Sequence, residues 1–194
     1  MDVYLAIASK RDTRRYAERP IPDEVVERIL DAGRLSGSAR NIQPWRFIVV
    51  ESRQLVEQLA ETVYVATNVL GAALVVVLVS RSALDGGRAA QNMMLAAWND
   101  GVASCPNGMP DPARTAALLR LGEDEPPLLV LTFGYTVTGR DPERHSSEEW
   151  SRRADRKPLA ELVARHLDLG SGLEFTQLGL AACLLSRPDP RLRS

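Results

Sequence analysis

The sequence predicts an α+β fold, a sandwich in which helices cover a central β-sheet, and three observations support this prediction. Apolar runs rich in β-branched residues occur at 47–50, 73–79 and 128–133, as expected for strands. Segments with helical spacing of apolar residues separate these runs, so strands and helices alternate along the chain. The chain has 194 residues, 45% of them hydrophobic, which is enough for one domain with a large core.

Two helices are predicted before the first strand. The first ends near Lys10, and the second opens at Pro22, because proline suits the first helical position. Asp23 and Glu24 then suit the positive N-terminal end of the helix. We expect this second helix to end before Ser36.

A loop rich in turn-forming residues and side-chain amides spans 36–44 and leads into the first strand at 47–50. A helix follows over 52–61, with Ser52 as its N-cap. Residues 73–79 are all Ala, Leu or Val, which is typical of a strand buried on both faces. They therefore predict a central strand.

The second half of the chain contains the helix that we expect to be buried most deeply. Residues 86–98 are dominated by Ala, Met and Leu, and Asp85 is the expected N-cap. A shorter helix over 111–121, a strand over 128–133 and a final helix over 158–167 complete the pattern. We expect one domain over residues 1–167 and a tail, 168–194, that is disordered or packs on a partner subunit.

The charge balance excludes several classes of partner. With 24 basic and 25 acidic side chains the formal net charge is -1, so the net charge provides no electrostatic attraction to nucleic acid or to an anionic membrane surface. The longest apolar run, 69–79, is about half the length that spans a bilayer, and the N-terminus does not resemble a secretory signal. The prediction is a cytoplasmic protein with no membrane or nucleic-acid partner.

Signatures of metal, nucleotide and nucleophilic catalysis are missing from the sequence. Cys105 and Cys183 are far apart and have no spacing typical of zinc, so both are expected to be free thiols. The sequence contains no P-loop, no Gly-x-Gly-x-x-Gly and no Gly-x-Ser-x-Gly. His145 and His166 are the only histidines, so we predict no metal site and assign no catalytic side chain.

A basic turn, residues 10–15, follows the first predicted helix and reads Lys-Arg-Asp-Thr-Arg-Arg. Guanidinium groups bind phosphate through paired, charge-assisted hydrogen bonds, and Arg11 and Arg14 are spaced so that both can reach one phosphate. The alternative is a solvated basic turn without a ligand.

Three further segments accompany the basic turn: 38–45 (Ser-Ala-Arg-Asn-Ile-Gln-Pro-Trp), 104–108 (Ser-Cys-Pro-Asn-Gly) and 156–159 (Arg-Lys-Pro-Leu). Together and in this order they resemble the FMN-dependent nitroreductase family. Its pattern is Arg-Arg-Ser-x-Arg, then Pro-Ser-x-x-Asn-x-Gln-Pro-Trp before a strand, then a basic residue ahead of a proline. The resemblance implies a central mixed or antiparallel sheet flanked by helices, in a homodimer that holds FMN at the subunit interface.

The resemblance also implies a role for each matching residue. The phosphate and ribityl binders would be Lys10, Arg11 and Arg14, joined by Arg156, while Ser38 and Asn41 would reach the flavin from the partner subunit and Gln43 would support their loop. Pro106, Asn107 and Gly108 match the segment whose backbone N–H groups approach the N5 and O4 edge of the flavin. Taken singly, each of these residues also has a purely structural explanation in turns and loops.

Two positions depart from the family pattern. Asp12 replaces serine, and its carboxylate would repel a phosphate unless it orients Arg14 or Arg15 or bonds a flavin or ribityl hydroxyl. Gly37 stands where proline is common, which loosens the loop that carries Ser38.

The resemblance implies an FMN-dependent oxidoreductase that works in two half-reactions. Hydride passes from NADH or NADPH to flavin N5, and an electron-poor acceptor such as a nitroaromatic or quinone is then reduced. Three alternatives stay open: a flavin-binding or sequestering protein without turnover, a flavin-consuming synthase of the cobalamin lower ligand, suggested by Asp12, and a structural interaction module.

Overall fold

The computed structural model describes residues 1–164, which comprise one compact unit, Met1–Asp155, and the start of a second unit at Arg156. The helices of the first unit are α1 Val3–Ser9, α2 Asp23–Arg34, α3 Arg53–Ala60, α4 Ala66–Leu70, α5 Ala83–Asn99, α6 Pro112–Leu118 and α7 Ser147–Arg153. Its strands are β1 Trp45–Val49, β2 Leu74–Ser80, β3 Ala103–Asn107 and β4 Pro127–Gly134. Short 3-10 turns occupy Ala39–Asn41 and Pro142–Arg144, and the second unit contains α8 Leu159–Leu162.

The four strands form one antiparallel sheet in the order β1-β2-β4-β3. Every residue of β2 is buried, which confirms the central strand that the unbroken aliphatic run predicted. The predicted class, an α+β fold with helices around a central sheet, is also confirmed. The order makes β1 and β3 the two edges of the sheet.

The two faces of the sheet carry separate hydrophobic cores. Alternate residues of β2 face opposite sides, so Val76 and Leu78 pack with the core of α2 and α5, which includes Ile29 and Met93. Val77 faces the other core, formed largely with α3 and α4. The prediction of a deeply buried helix is confirmed by α5, which buries eight of its residues.

The cap of α5 differs from the prediction. The helix begins one turn earlier, and the Ser82 hydroxyl is its N-cap: it accepts from the Asp85 backbone N–H at 3.2 Å and donates to the Asp85 carboxylate at 3.0 Å. Asp85 as the cap was therefore wrong. Ser82 caps the helix because its hydroxyl satisfies one of the backbone N–H groups of the first turn, and the Ser82 backbone N–H donates to Ser80 Oγ at 3.2 Å.

Three elements were not predicted, namely β3, α4 and α7. β3 contains Pro106, which lacks a backbone N–H and is tolerated because this strand lies at an edge of the sheet. The helix predicted over 111–121 ends at Leu118, shortly before Arg120 takes the left-handed conformation at φ 53°. Of the final helix predicted over 158–167, α8 lies within the described residues and 165–167 lie outside them.

The expected boundary between domain and tail, at 167, His166 and Cys183 also lie outside the described residues. Among residues 1–164, no helix combines the length and hydropathy needed to cross a bilayer. The same part of the chain holds no group of three or more His, Cys, Asp or Glu placed to bind a metal ion.

Candidate active site

The basic turn lies against the outer edge of β3. Asp12 forms a parallel bridge with Ser104, and the Thr13 backbone N–H donates to the Ser104 carbonyl oxygen at 3.1 Å. Two of the four segments that resemble the nitroreductase family are therefore neighbours in space. They meet because the chain, on leaving α1, continues in extended conformation beside the free edge of the sheet.

Arg14 is the arginine of the turn that faces β3. Burial raises the pKa of the Cys105 thiol above its ordinary value and the nearby Asp12 carboxylate raises it further, whereas Arg14 and Lys10 partly offset the shift. Cys105 is a free, buried thiol, whereas Arg14 is exposed. The Arg14 guanidinium thus lies next to β3 and remains open to solvent.

Lys10 and Asp12 form an ion pair across the turn. The Lys10 side chain is only 9% exposed, and its ammonium group also lies 3.5 Å from Met94 Sδ on α5. Among the described residues the Asp12 carboxylate pairs with Lys10, and not with Arg14 or Arg15. The Lys10 ammonium group offsets the negative charge of the Asp12 carboxylate, so Asp12 repels a bound anion less than an unpaired carboxylate would.

Arg11 contacts a different part of the unit. Its guanidinium donates to the carbonyl oxygens of Ala8 at 2.7 Å and Lys10 at 2.8 Å, and it lies over the Trp150 ring at 5.7 Å from the centroid. These bonds satisfy carbonyl groups at the C-terminal end of α1. Arg11 and Arg14 therefore have different neighbours in this structure.

The amide-rich loop before β1 holds itself in a strained shape. Ser38 Oγ accepts from the Gln43 backbone N–H at 2.8 Å, and the Gln43 side chain donates to the Asn41 carbonyl oxygen at 3.2 Å. Arg40, Asn41 and Gln43 all adopt positive φ, between 51° and 56°. Such conformations cost free energy and concentrate at functional loops.

This loop and the basic turn lie at opposite corners of the sheet. The loop enters β1 at Trp45, which pairs with Ser80 at the far end of β2, whereas the basic turn bridges Ser104 on β3. Two strands stand between these edges, a separation of about 14 Å across the sheet alone. The sequence-predicted Ser38 and Asn41 are thus not brought to the basic turn of their own chain.

Of the other predicted residues, Pro106 and Asn107 end β3, and Gly108 follows them. The Gly108 carbonyl oxygen accepts from the Tyr64 backbone N–H at 3.2 Å, and the exposed Tyr64 ring lies against Gly108. Arg156 opens the second unit and is exposed, and its role stays a prediction.

A buried polar cluster beside β3 was not predicted. Asn68 of α4 donates to the Asn107 side-chain oxygen at 2.7 Å, and Asn107 donates to Thr132 Oγ1 on β4 at 3.2 Å. Tyr16 reaches the same Thr132 hydroxyl at 2.9 Å, and burial raises its pKa strongly. A sequence signal existed: Asn68 and Thr132 are polar residues set beside or within long apolar runs.

Three polar side-chain atoms around β3 are buried without a hydrogen-bond partner in the described part of the chain. They are Thr13 Oγ1, Asn68 Oδ1 and Ser104 Oγ. An unpaired buried polar group costs about 1–3 kcal/mol, so proteins rarely leave several together unless a ligand or water satisfies them. Thr13 and Ser104 lie where the basic turn meets β3, and Asn68 lies in the polar cluster with Asn107.

The model of the nitroreductase family matches residues 7–85 and 76–135, which together make up more than half of the chain. This chain belongs to the nitroreductase family. The matched residues include the basic turn, the amide-rich loop and all four strands of the nitroreductase sheet.

Individual relatives agree with this membership. A protein of Methanothermobacter thermautotrophicus named as an NADH dehydrogenase/NAD(P)H nitroreductase is 31% identical over 169 residues, covering 77% of this chain and 88% of its own. The crystal structure of a Desulfovibrio desulfuricans protein, described as a nitroreductase in complex with FMN, has a TM-score of 0.69 at 26% identity and covers 86% of this nitroreductase and 98% of its own chain. A family protein of Clostridium difficile has the same fold, with a TM-score of 0.70 at 23% identity over 84% of this chain and 98% of its own.

Proposed function

We propose that this nitroreductase is an FMN-dependent oxidoreductase that uses NADH or NADPH to reduce a small electron-poor acceptor of the nitroaromatic or quinone type. The observation that carries the proposal is the meeting of the basic turn with β3, next to buried polar atoms that have no partner among the described residues. When bound, FMN would accept hydride from the nicotinamide at N5 and then pass the electrons to the acceptor.

The residues at the β3 edge fit a flavin mononucleotide. The basic turn carries four cations and one acid, so it has a net positive charge for a phosphate that bears nearly two negative charges. The flavin ring and the ribityl chain offer N–H and hydroxyl groups for the unpaired oxygens of Asn68, Ser104 and Thr13. The Desulfovibrio desulfuricans relative, named with FMN, has the same fold.

Within the turn, Arg14 is the residue we assign most directly to the phosphate. It is exposed beside β3, whereas the charge of Lys10 is offset by Asp12 and Arg11 is bonded to carbonyl oxygens of α1. Lys10 and Asp12 together suit a ribityl hydroxyl, which both donates and accepts hydrogen bonds. Arg156 stays a phosphate binder predicted from the resemblance alone.

We propose that two copies of the chain complete each site. Ser38 and Asn41 lie at the corner of the sheet opposite the basic turn, so they serve a flavin most simply from a second copy of the chain. The self-bonded and exposed loop suits this role, because its shape depends on its own hydrogen bonds. The homodimer places cofactor contacts from both chains at one interface.

The protein itself would bind and orient the flavin and shield it from water, without supplying a nucleophile or a general base. Cys105 lies on β3 next to Ser104, and burial raises the pKa of its thiol, which stays protonated at neutral pH. The net positive charge of the basic turn would favour an anionic reduced flavin. Backbone donors around Gly108 would approach the N5 and O4 edge.

An absorption spectrum of the purified protein tests the proposal. We expect bound FMN, or FMN taken up on reconstitution, with the yellow flavin bands bleached by anaerobic NADH or NADPH and restored by an acceptor such as menadione. A protein that cannot be loaded with FMN contradicts the proposal. Bound flavin that neither nucleotide bleaches supports the flavin-sequestering alternative instead.

A further inference from the structure

The buried polar cluster contains an amide whose orientation is forced by its surroundings. Asn107 is 5% exposed, and the two hydrogens on its Nδ2 atom are shared among three acceptors: the carbonyl oxygens of Cys105 and Val130, each at 3.0 Å, and Thr132 Oγ1 at 3.2 Å. A flipped amide would place its oxygen against these two carbonyl oxygens. The Asn107 nitrogen must therefore face β4, and its oxygen must face away from it.

The orientation of Asn107 determines that of Asn68. Asn107 Oδ1 can only accept, so Asn68 must present its Nδ2 atom, which donates at 2.7 Å and lies 3.7 Å from Cys105 Sγ. The remaining Asn68 atom is the carbonyl oxygen. It is buried and has no hydrogen-bond partner among residues 1–164.

Thr132 anchors the other end of the cluster. Its hydroxyl donates to the Cys105 carbonyl oxygen at 3.1 Å and can accept from both Asn107 and the Tyr16 hydroxyl at 2.9 Å. Burial raises the pKa of Tyr16, so its hydroxyl remains a donor throughout the usual pH range. Of the polar side-chain atoms in the cluster, only Asn68 Oδ1 lacks a partner within the described residues, and the bonds among the others make the cluster rigid.

We propose that Asn107 is a positioning residue, whose side chain holds the Asn68 amide with its carbonyl oxygen ready to accept a hydrogen bond from the ring N3–H of the flavin. This rests on the proposed function, because it assumes that the flavin lies along β3. Sequence resemblance assigns Asn107 only a backbone role. The structure adds a separate role for its side chain, exerted through Asn68.

A flavin analogue isolates this hydrogen bond. The dissociation constants of FMN and of 3-methyl-FMN, in which a methyl group replaces the N3 hydrogen, are measured by fluorescence titration of the apoprotein. The wild type should prefer FMN by about tenfold or more, as expected for one buried hydrogen bond. Asn107→Leu should reduce this preference by about tenfold, because Asn68 is then free to rotate.

Two further variants separate positioning from folding. Tyr16→Phe removes a buried hydrogen bond at the Thr132 end and should lower the melting temperature, yet keep the preference for FMN. Asn107→Ser is too short to reach Asn68 but keeps a hydroxyl near the β4 carbonyl groups, and it replaces Asn107→Leu if the leucine variant does not fold.

The outcomes are distinct. Two results would overturn the positioning role. One is a wild type that binds FMN and 3-methyl-FMN equally well. The other is an Asn107 variant that still prefers FMN as strongly as the wild type, whatever its stability. In the double variant Asn68→Leu/Asn107→Leu the preference should match that of Asn68→Leu alone, because Asn107 acts through Asn68. A protein that binds neither FMN nor the analogue contradicts the proposed function itself.

Discussion

Arg14 and Arg11 look equivalent in the sequence and differ in their surroundings. Arg11 donates to two carbonyl oxygens at the end of α1 and lies over Trp150, so it contributes to the fold of its own unit. Arg14 is exposed beside Cys105, at the edge of β3. Substitution of Arg11 is therefore expected to affect stability, and substitution of Arg14 is expected to affect ligand binding.

Arg14→Ala should weaken FMN binding by about tenfold to a hundredfold, because a guanidinium–phosphate contact contributes about 1.5–3 kcal/mol. Its melting temperature should stay close to that of the wild type, since the side chain is exposed. The measurement is a fluorescence titration of FMN together with a thermal melt.

Arg15→Ala is the matched control for Arg14→Ala, since it removes the same charge from the next, also exposed, position. It should weaken FMN binding only slightly, through the general field of the turn. Equal losses of affinity in the two variants would show that Arg14 makes no direct contact. A large loss of stability in Arg14→Ala would make it a structural arginine.

At the scale of elements, α5 packs closely on the sheet at one glycine and faces solvent at the next. A Cβ atom on Gly86 would lie 2.5 Å from Leu128 Cδ2 and 3.0 Å from Ser80 Cβ. A Cβ atom on Gly87 would meet nothing within 4 Å. The two positions therefore separate close packing from helix propensity within one helix.

Gly87→Ala should raise the free energy of unfolding by about 0.5–1 kcal/mol, because alanine favours the helix more than glycine does. Gly86→Ala should instead lower it by about 1–2 kcal/mol, as the methyl group displaces Leu128 and Ser80. Urea denaturation followed by circular dichroism measures both. Stabilisation by Gly86→Ala would show that Leu128 and Ser80 can move away from the added methyl group at little cost in free energy.

Elements with a clear apolar pattern could be predicted from sequence, including the short strand β1, and elements without such a pattern could not. β2 and α5 carry runs of apolar residues long enough to show their period or burial, and each was predicted close to its observed bounds. β3 is short and contains Ser104, Pro106 and Asn107, none of which favours a strand. It is a strand because pairing with β4 decides its conformation.

At the scale of the whole molecule, the two groups of predicted flavin-binding residues lie at opposite corners of the sheet. We therefore expect each flavin site to be shared between two chains. Ser38 and Asn41 stand at the β1 corner and the basic turn at the β3 edge. If each site takes Arg14 from one chain and Asn41 from the other, a mixed dimer of an Arg14 variant and an Asn41 variant retains one intact site.

Chains carrying Arg14→Ala and chains carrying Asn41→Ala should each bind FMN weakly as homodimers. Coexpression of both should restore strong binding to about one site in four, since half of the dimers are mixed and each of these has one intact site. FMN content per chain after gel filtration measures this. Homodimers that bind no worse than the wild type, or mixtures that recover nothing, would mean that Asn41 does not act across the interface.

Part of the candidate site could be read from sequence because its residues are close along the chain. The basic turn and the amide-rich loop each occupy a few consecutive residues, so their type and spacing are visible without a fold. The roles of Asn68 and Thr132 could not be read in this way. They are 64 positions apart along the chain, and both bond the Asn107 side chain only because the fold brings α4 and β4 to β3.

The sequence by itself determined the class of fold, the central strand, the buried helix and the resemblance to the nitroreductase family, because local periodicity and short motifs carry that information. Only the tertiary structure decided that the basic turn lies on the edge of β3, that Asp12 pairs with Lys10 and that Asn107 orients Asn68. These are contacts between side chains brought together by strand pairing and helix packing, and neither spacing nor composition records which partner a polar side chain will find.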